Sequence, residues 1–247
     1  CDDRALIGRE FYLMRRLPGV AAGHLLVRDQ SLGDDARERL VERLGEELAR
    51  LHQVEPPHAK LDFLPGPALS PAHGRIAEYR GYLDVLPEAQ PVIEWGLRWL
   101  ERKAPESRDV VLCHGDYRTG NYLVHDGALS GILDWEFARW CDPLEDIGWF
   151  CARCWRFGRF EREAGGMGSR EAFYRGYERV AGRCVERELV PYWEVMAAVR
   201  WAILAIQQGR RHTSGEEPSL ELALTGRRVP EMELDILMQI DAIDGRS

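Results

Sequence analysis

The sequence of 247 residues is 30% charged and 45% hydrophobic, which is the composition of a folded globular protein and not of a disordered chain. Its 33 lysines and arginines stand against 41 aspartates and glutamates, so the formal net charge is −8. That balance argues against the basic face of a nucleic-acid-binding protein, so we expect no nucleic acid partner. No apolar run reaches the roughly 18 residues of a membrane-spanning helix, so we expect no membrane insertion either.

Cysteine usage and the N-terminus bear on the cellular compartment. The six cysteines are scattered along the sequence, unlike those of a small disulfide-bonded protein. Cys151-x-x-Cys154 has the spacing of a redox or zinc motif, but no second pair lies at ligand spacing, and we interpret it as helix packing. The polar N-terminus does not resemble a signal peptide. We therefore expect a cytoplasmic protein.

The N-terminal part of the sequence predicts one strand and then a helix. Residues 6–17 have strand composition, and Pro18-Gly19 ends that strand. Asp34 or Asp35 is a suitable N-cap for the helix that follows.

Apolar residues at helical spacing predict helices along most of the chain. These helices are expected at about 34–52, 74–85, 91–103, 143–157, 169–187, 191–211 and 230–242. Ser169 is a suitable N-cap, and Pro191 and Pro230 suit first helical positions. The face of the 91–103 helix that we expect to be buried consists of Val92, Trp95, Trp99 and Leu100.

The centre of the sequence changes from helix to strand. Short strands are expected at 110–113, 121–124 and 129–133, and Asp126-Gly127 between the last two is a strong hairpin signal. The whole pattern predicts an α+β fold, mainly α, with a small central β-hairpin.

This central segment carries the residues that suggest chemistry. HGDYRTGN at 114–121, followed by ILDWE at 132–136, has the H-x-D-x-x-x-x-N spacing of a kinase catalytic loop with a downstream aspartate. Phosphoryl transfer to an alcohol needs a proton acceptor, for which Asp116 is suited, and positive charge near the transferred phosphate, for which Arg118 is suited. Asn121 and Asp134 offer oxygen ligands for Mg²⁺. We expect His114 to be structural.

The hairpin explains how distant ligands could converge. With Asp126-Gly127 as the turn, Val124 is expected opposite Leu129 and Asn121 opposite Ile132. Asp134 lies two residues beyond Ile132, so the strand period places it on the same face as Asn121. We therefore expect one shared metal position.

Together, the run from Cys113 to Trp149 and its Asp142-Pro143-Leu144-Glu145-Asp146 segment resemble the aminoglycoside phosphotransferase and choline kinase family, close to the branch associated with acyl-CoA dehydrogenases. The resemblance implies a protein-kinase-like C-terminal lobe. It also implies that Asp116 is the catalytic base and that Asn121 and Asp134 hold Mg²⁺.

The same resemblance implies two further sites. Asp146 is expected to brace the catalytic loop together with His114. Backbone groups around Arg15 and Leu17, in a hinge-like segment, are expected to contact the adenine of ATP.

One part of the kinase pattern is not found in the sequence. Neither a glycine-rich loop nor a lysine precedes the hinge-like segment. We therefore interpret 1–20 as the remnant of the N-lobe sheet and hinge, with the ATP-covering N-lobe largely absent. Residues 21–247 form the C-lobe, with the catalytic loop and metal hairpin at 110–136 and a helical substrate region at 143–247. Residues 1–247 alone are expected to show no competent ATP turnover.

The sequence thus predicts an ATP- and Mg²⁺-dependent phosphotransferase acting on a hydroxyl of a small molecule. An aminoglycoside, another hydroxylated metabolite and a hydroxyacyl thioester remain alternative acceptors. Residues expected around the acceptor are Trp155, Tyr177, Trp201 and Gln208. A non-catalytic, pseudokinase-like binding module is the alternative function. The sequence does not indicate an oligomeric state.

Overall fold

In the computed structural model, residues 3–66, 70–106 and 109–245 are described, and they are mainly helical. The helices are α1 (Gly23–Arg28), α2 (Asp34–Leu51), α3 (Pro71–Asp84), α4 (Pro91–Arg102), α5 (Pro143–Cys151), α6 (Arg170–Ala181), α7 (Val190–Thr213), α8 (Leu220–Gly226) and α9 (Val229–Asp244). The strands are β1 (Val111–Cys113), β2 (Tyr122–His125), β3 (Ala128–Ile132) and β4 (Arg139–Cys141). Among these described helices, none is both long and apolar enough to cross a bilayer.

Helices α2 and α6 pack closely because each has a glycine that faces the backbone of the other helix. A Cβ on Gly45 would lie 2.1 Å from the carbonyl oxygen of Phe173, and one on Gly176 would lie 1.9 Å from that of Glu42. Neither position can therefore carry a side chain without separating the helices. Leucines at helical spacing on α2, among them the fully buried Leu44, complete this contact.

Helix α7 is central to the C-terminal half. It contacts α4, α5, α8 and α9, and most of its first four turns are buried. Pro191 lies in its first turn, as predicted, where the missing N–H costs no hydrogen bond. The Ser169 cap on α6 is also confirmed, because its hydroxyl accepts from the Ala172 N–H at 3.1 Å.

The two small sheets bracket the catalytic segment. Strands β2 and β3 form the predicted hairpin, with Asp126 and Gly127 both at positive φ in the turn. Val124 pairs with Leu129 as expected, but a bulge next to it shifts the register, so that Tyr122 and not Asn121 lies opposite Ile132. Strand β4 pairs with β1 and was not predicted.

The N-terminal segment differs from the prediction. Residues 6–17 form turns and irregular backbone instead of a strand, and Leu13 is 90% exposed. Composition favours a strand here, but a strand also needs hydrogen-bonded neighbours. Among the described residues from 3 to 20, only Val20 forms a β-bridge, with Val124.

Some of the predicted helix ends and buried helix faces are wrong. The N-cap of α2 is Gly33, while Asp34 and Asp35 lie in its first turn. There their negative charge interacts favourably with the positive end of the helix dipole. On α4, Trp95 is 40% exposed and Ile93 is buried in its place. The helix predicted at 143–157 is in fact two elements, α5 and a separate turn. Helix α8 was not predicted.

Cys151 and Cys154 are both free thiols, but they do not lie on one helix as expected, because α5 ends at Cys151 and Cys154 lies in the short turn after it. Burial raises the pKa of each thiol to about 12, so neither is a reactive thiolate near neutral pH. The division of the chain at residue 20 stays a prediction.

Candidate functional site

The segment 114–121 links β1 to β2 and passes between the two small sheets. Gly115 adopts φ +75°, a left-handed conformation that favours glycine. A Cβ there would lie 2.2 Å from the backbone oxygen of Phe137, two residues before β4 begins. The glycine of the HGD sequence is therefore required both by backbone conformation and by the close approach of the neighbouring chain.

We expect Gly115→Ala to lower both kcat and the melting temperature, because the left-handed backbone alone costs roughly 1–3 kcal/mol in a non-glycine residue. Gly182→Ala is the matched control, since Gly182 also has positive φ, +69°, but a Cβ added there would meet nothing within 4 Å. Thermal unfolding and kinetics of both variants would separate the backbone strain at positive φ from the steric clash with Phe137. Equal effects would show that the contact with Phe137 is unimportant.

Asp116 lies at the centre of the site and is only 6% exposed. Its Oδ1 accepts from the indole Nε1 of Trp149 at 2.7 Å, and its Oδ2 accepts from Nδ2 of Asn121 at 2.6 Å. The Nε of Arg118 donates to both carboxylate oxygens, at 3.2 and 3.1 Å. Three donors therefore fix the orientation of one buried carboxylate.

Arg118 connects Asp116 to an aromatic surface. Its guanidinium carbon lies 4.4 Å from the centre of the Trp155 ring, a cation–π contact. The Arg118 side chain is 24% exposed, while that of Asp116 is 8% exposed. Of the three donors to Asp116, Arg118 is thus the one that reaches solvent.

Asp146 is fully buried on α5 and holds the start of the loop. Its carboxylate accepts from the backbone N–H of His114 at 2.7 Å and from that of Gly115 at 2.9 Å, which are the contacts expected of it. His52 Nε2 lies 3.2 Å from the same carboxylate. Burial alone would raise the pKa of Asp146, but the hydrogen bond and charge of His52 and the contacts of His114 hold it below the ordinary value.

The His114 ring contacts both the loop and the chain that leads to Asp134. Its Nδ1 accepts from the backbone N–H of Asp116 at 3.2 Å, and its Nε2 lies 2.9 Å from the carbonyl oxygen of Leu133. The Leu133 N–H donates in turn to the Asn121 carbonyl at 2.8 Å. His114 therefore ties the catalytic loop to the residue that precedes Asp134.

Asn121 and Asp134 differ in their surroundings. Asn121 is buried and uses its Nδ2 for Asp116, which leaves its Oδ1 for another partner. Asp134 is exposed at φ +67°, and within the described residues no hydrogen bond or ion pair involves its carboxylate. A non-glycine residue in this conformation beside a catalytic loop is typical of functional sites. An unpaired carboxylate and an amide oxygen are ligands that fit Mg²⁺.

Three residues expected to contact the nucleotide or the acceptor lie outside the hydrogen-bond network of Asp116. Arg15 is exposed and Leu17 is half-buried, with its side chain against Gly131 of the hairpin. The structure places neither in the hydrogen-bond network of Asp116. Tyr177 was expected beside the acceptor, but its hydroxyl is bonded to His52 at 2.9 Å, on the side of α2 and α6.

Two residues of the network were missed in the sequence. Trp149 follows Asp146 by three positions on α5, so both project from one helix face toward the catalytic loop. Arg200 on α7 donates to the carbonyl oxygen of Gly115. The spacing of Asp146 and Trp149 could have indicated that Trp149 faces the loop. Arg200 lies 85 positions from Gly115, so no local pattern in the sequence could have indicated their contact.

A cavity of about 670 Å³ opens beside the loop, between α3, α7 and the segment around β4. Its charged lining comprises Arg75, Glu78, Glu136, Arg139 and Arg200. Its other lining includes aromatic and aliphatic side chains and the amides of Gln207 and the expected Gln208.

Glu145 is buried behind the charged lining of this cavity. Burial alone would raise its pKa, but Arg75, Arg139 and Arg200 hold the pKa below the ordinary value. Its carboxylate therefore stays ionised and offsets part of the charge of the arginines.

A model of the phosphotransferase enzyme family (APH) matches residues 1–183. Acyl-CoA dehydrogenase family member 10 from Mus musculus is 25% identical over 260 residues, covering 94% of this chain but only 22% of that protein. The chain therefore spans less than a quarter of this curated relative.

Solved structures share the architecture. A crystal structure from Ralstonia eutropha JMP134, provisionally assigned as an aminoglycoside phosphotransferase, has a TM-score of 0.76 at 21% identity and covers 94% of this chain and 73% of that one. The GDP and kanamycin complex of APH(2")-IIia has a TM-score of 0.62 at 16% identity, covering 90% and 70%. At such identities the likeness shows the fold, and the expected kinase-like architecture is confirmed.

Proposed function

Since the chain belongs to the phosphotransferase enzyme family, we propose that it transfers the terminal phosphoryl group of ATP to a hydroxyl group of a small molecule. The observation that carries this proposal is the buried Asp116 carboxylate, oriented by Arg118, Asn121 and Trp149. Such an oriented carboxylate is suited to accept the proton of an attacking hydroxyl. We place the reaction in the cytoplasm, where thiols stay reduced.

In the proposed reaction the hydroxyl oxygen of the acceptor forms a bond to the terminal phosphorus. The bond from that phosphorus to the bridging oxygen of ADP breaks, and the hydroxyl proton moves to Asp116. Arg118 is the donor to Asp116 that reaches solvent, so it can turn toward the transferred group while Trp155 keeps its guanidinium close. Asn121 and Trp149 continue to orient the carboxylate.

The Asn121 amide oxygen and the Asp134 carboxylate would hold Mg²⁺. The metal would neutralise phosphate charge when bound. We propose that backbone groups around Arg15 and Leu17 contact the adenine, and that Asp146 with His114 braces the loop. A neighbour in complex with GDP makes guanine nucleotides a necessary comparison with ATP.

We propose that the acceptor lies in the cavity beside Gly115. Three arginines, Arg75, Arg139 and Arg200, and two glutamates, Glu78 and Glu136, contribute to its lining together with apolar side chains. This lining favours a hydroxylated metabolite with an apolar part, such as a hydroxyacyl thioester, over a polycationic aminoglycoside. The likeness to an acyl-CoA dehydrogenase family member supports the same class.

The test is a screen of hydroxylated acceptors with the full-length protein, each incubated with Mg²⁺ and either ATP or GTP. Aminoglycosides, amino alcohols and hydroxyacyl thioesters are the classes to include. Mass spectrometry would detect the gain of one phosphoryl group on the acceptor. Transfer to thioesters with ATP is expected, and transfer to aminoglycosides alone would overturn the assignment of the cavity.

We expect Asp134→Asn to raise the Mg²⁺ concentration needed for half-maximal activity by at least about 10- to 100-fold, the range for residues that merely support metal ligands. Asp126→Asn is the matched control, because Asp126 also has positive φ and an exposed side chain but lies at the hairpin turn. Calorimetric titration of Mg²⁺ into the nucleotide complex gives a readout besides activity. Equal Mg²⁺ affinity in both variants would remove Asp134 from the metal site.

A non-catalytic, pseudokinase-like binding module is the second candidate. It is favoured by one observation, namely that both oxygens of Asp116 already accept hydrogen bonds within the chain. Nucleotide binding without transfer to any acceptor would support this function. Measurable transfer that Asp116→Ala abolishes would exclude it.

A further inference from the structure

Arg200 lies on α7, beyond the residues 1–183 that the family model matches, and is only 5% exposed. A buried guanidinium normally faces a carboxylate, because an unpaired buried charge is costly. Among the ion pairs of the described residues, none involves Arg200. Its two closest partners are instead the carbonyl oxygen of Gly115 and the ring of Trp149, whose centre lies 4.1 Å from the guanidinium carbon. The Phe137 ring centre lies farther away, at 5.5 Å, and the buried Glu145 carboxylate feels the charge of Arg200 without an ion-pair contact.

Both partners lead to Asp116. The Gly115 carbonyl belongs to the peptide group that joins Gly115 to Asp116. Trp149 is 2% exposed, and its indole N–H donates to Asp116 Oδ1 at 2.7 Å. A cation on the face of an indole draws electron density from the ring, which makes the indole N–H a stronger donor.

We propose that Arg200 is a positioning residue for phosphoryl transfer, which orients Asp116 through the Gly115 carbonyl and through Trp149. This inference rests on the proposed function, and it adds a residue from outside the catalytic motifs. The planar guanidinium suits the task because it donates to a carbonyl and stacks on an aromatic ring at the same time. The compact ammonium group of lysine lacks this planar surface, so it should make the two contacts less well.

The variants are Arg200→Met, Arg200→Lys and Trp149→Phe, with Arg210→Met as control on the exposed side of the same helix. We expect Arg200→Met to lower kcat by roughly 100-fold, as misplacement of a reacting group by about 1 Å does, while KM for the nucleotide is unchanged. Arg200→Lys should recover only part of the loss. A raised acceptor KM with unchanged kcat would make Arg200 a substrate-binding residue and overturn the proposal.

A double-mutant cycle tests whether Arg200 acts through Trp149. If the two residues act in series, Arg200→Met with Trp149→Phe should lose far less activity than the product of the two single losses. Losses that multiply would show independent actions and contradict the proposed route through the indole.

A measurement without catalysis keeps the inference separate from the proposed function. The indole N–H resonance of Trp149 is identified by its absence in Trp149→Phe. In Arg200→Lys, which retains the positive charge but not the planar guanidinium, this N–H is expected to exchange faster and to shift toward the position of a free indole. An unchanged resonance overturns the inference even if the wild-type protein transfers no phosphate, whereas that inactivity would contradict only the proposed function.

Discussion

Asp116→Ala is expected to lower kcat for phosphoryl transfer by about 10²- to 10⁴-fold, the usual cost of removing a general base. The physical reason is that the acceptor hydroxyl loses the group that takes its proton. The effect on nucleotide affinity should be small, because Asp116 accepts hydrogen bonds from Arg118, Asn121 and Trp149 and is not the expected metal ligand. Steady-state kinetics in the full-length protein would measure both quantities.

Controls separate lost chemistry from lost structure. Asp84→Ala, at the exposed end of α3, removes a carboxylate far from the hydrogen bonds of the site and should leave kcat unchanged. Circular dichroism and thermal unfolding of Asp116→Ala would show whether the fold persists. Turnover near the wild-type rate in a folded Asp116→Ala protein would place the base elsewhere.

Asp146→Ala is expected to lower the free energy of unfolding by about 2–6 kcal/mol and to reduce activity strongly. The carboxylate is fully buried and accepts two backbone N–H groups, from His114 and Gly115. Each buried donor left without an acceptor costs roughly 1–3 kcal/mol. Urea unfolding would measure the change. Asp241→Ala on the exposed face of α9 is the control and should stay within about 0.5 kcal/mol of the wild type.

The low pKa of Asp146 gives this prediction a pH dependence. Because the folded-state pKa lies below the unfolded value of about 3.9, folding favours the ionised carboxylate. The stabilisation is therefore complete above the unfolded pKa and is lost as the pH falls toward the folded pKa. The difference in unfolding free energy between wild type and Asp146→Asn should shrink below about pH 4. A gap that widens in acid would contradict the ionised, hydrogen-bonded carboxylate.

The sequence by itself determined the features that depend on neighbouring residues. Helices such as α2, α4 and α7 follow from apolar residues at helical spacing, because burial of one face stabilises them. The hairpin follows from Asp126-Gly127, since few residues tolerate that turn geometry. The spacing from His114 to Asn121 indicated the candidate catalytic loop, because phosphoryl transfer requires those groups within one short segment.

Only the tertiary structure decided features that depend on distant partners. Residues 6–17 have strand composition yet form no strand, because composition does not supply neighbouring chains to pair with. Strand β4 forms because β1 offers it hydrogen bonds, and the bulge in β2 moved Asn121 out of its expected register with Ile132.

The environment of the candidate catalytic carboxylate shows the same division most clearly. Asp116 could be identified from its motif, but its contacts with Trp149 and, through Gly115, with Arg200 cross long stretches of sequence. Such contacts carry no local periodicity and depend on how α5 and α7 pack around the loop. The sequence therefore determined which residue is the candidate base, and the packing of helices determined what orients it.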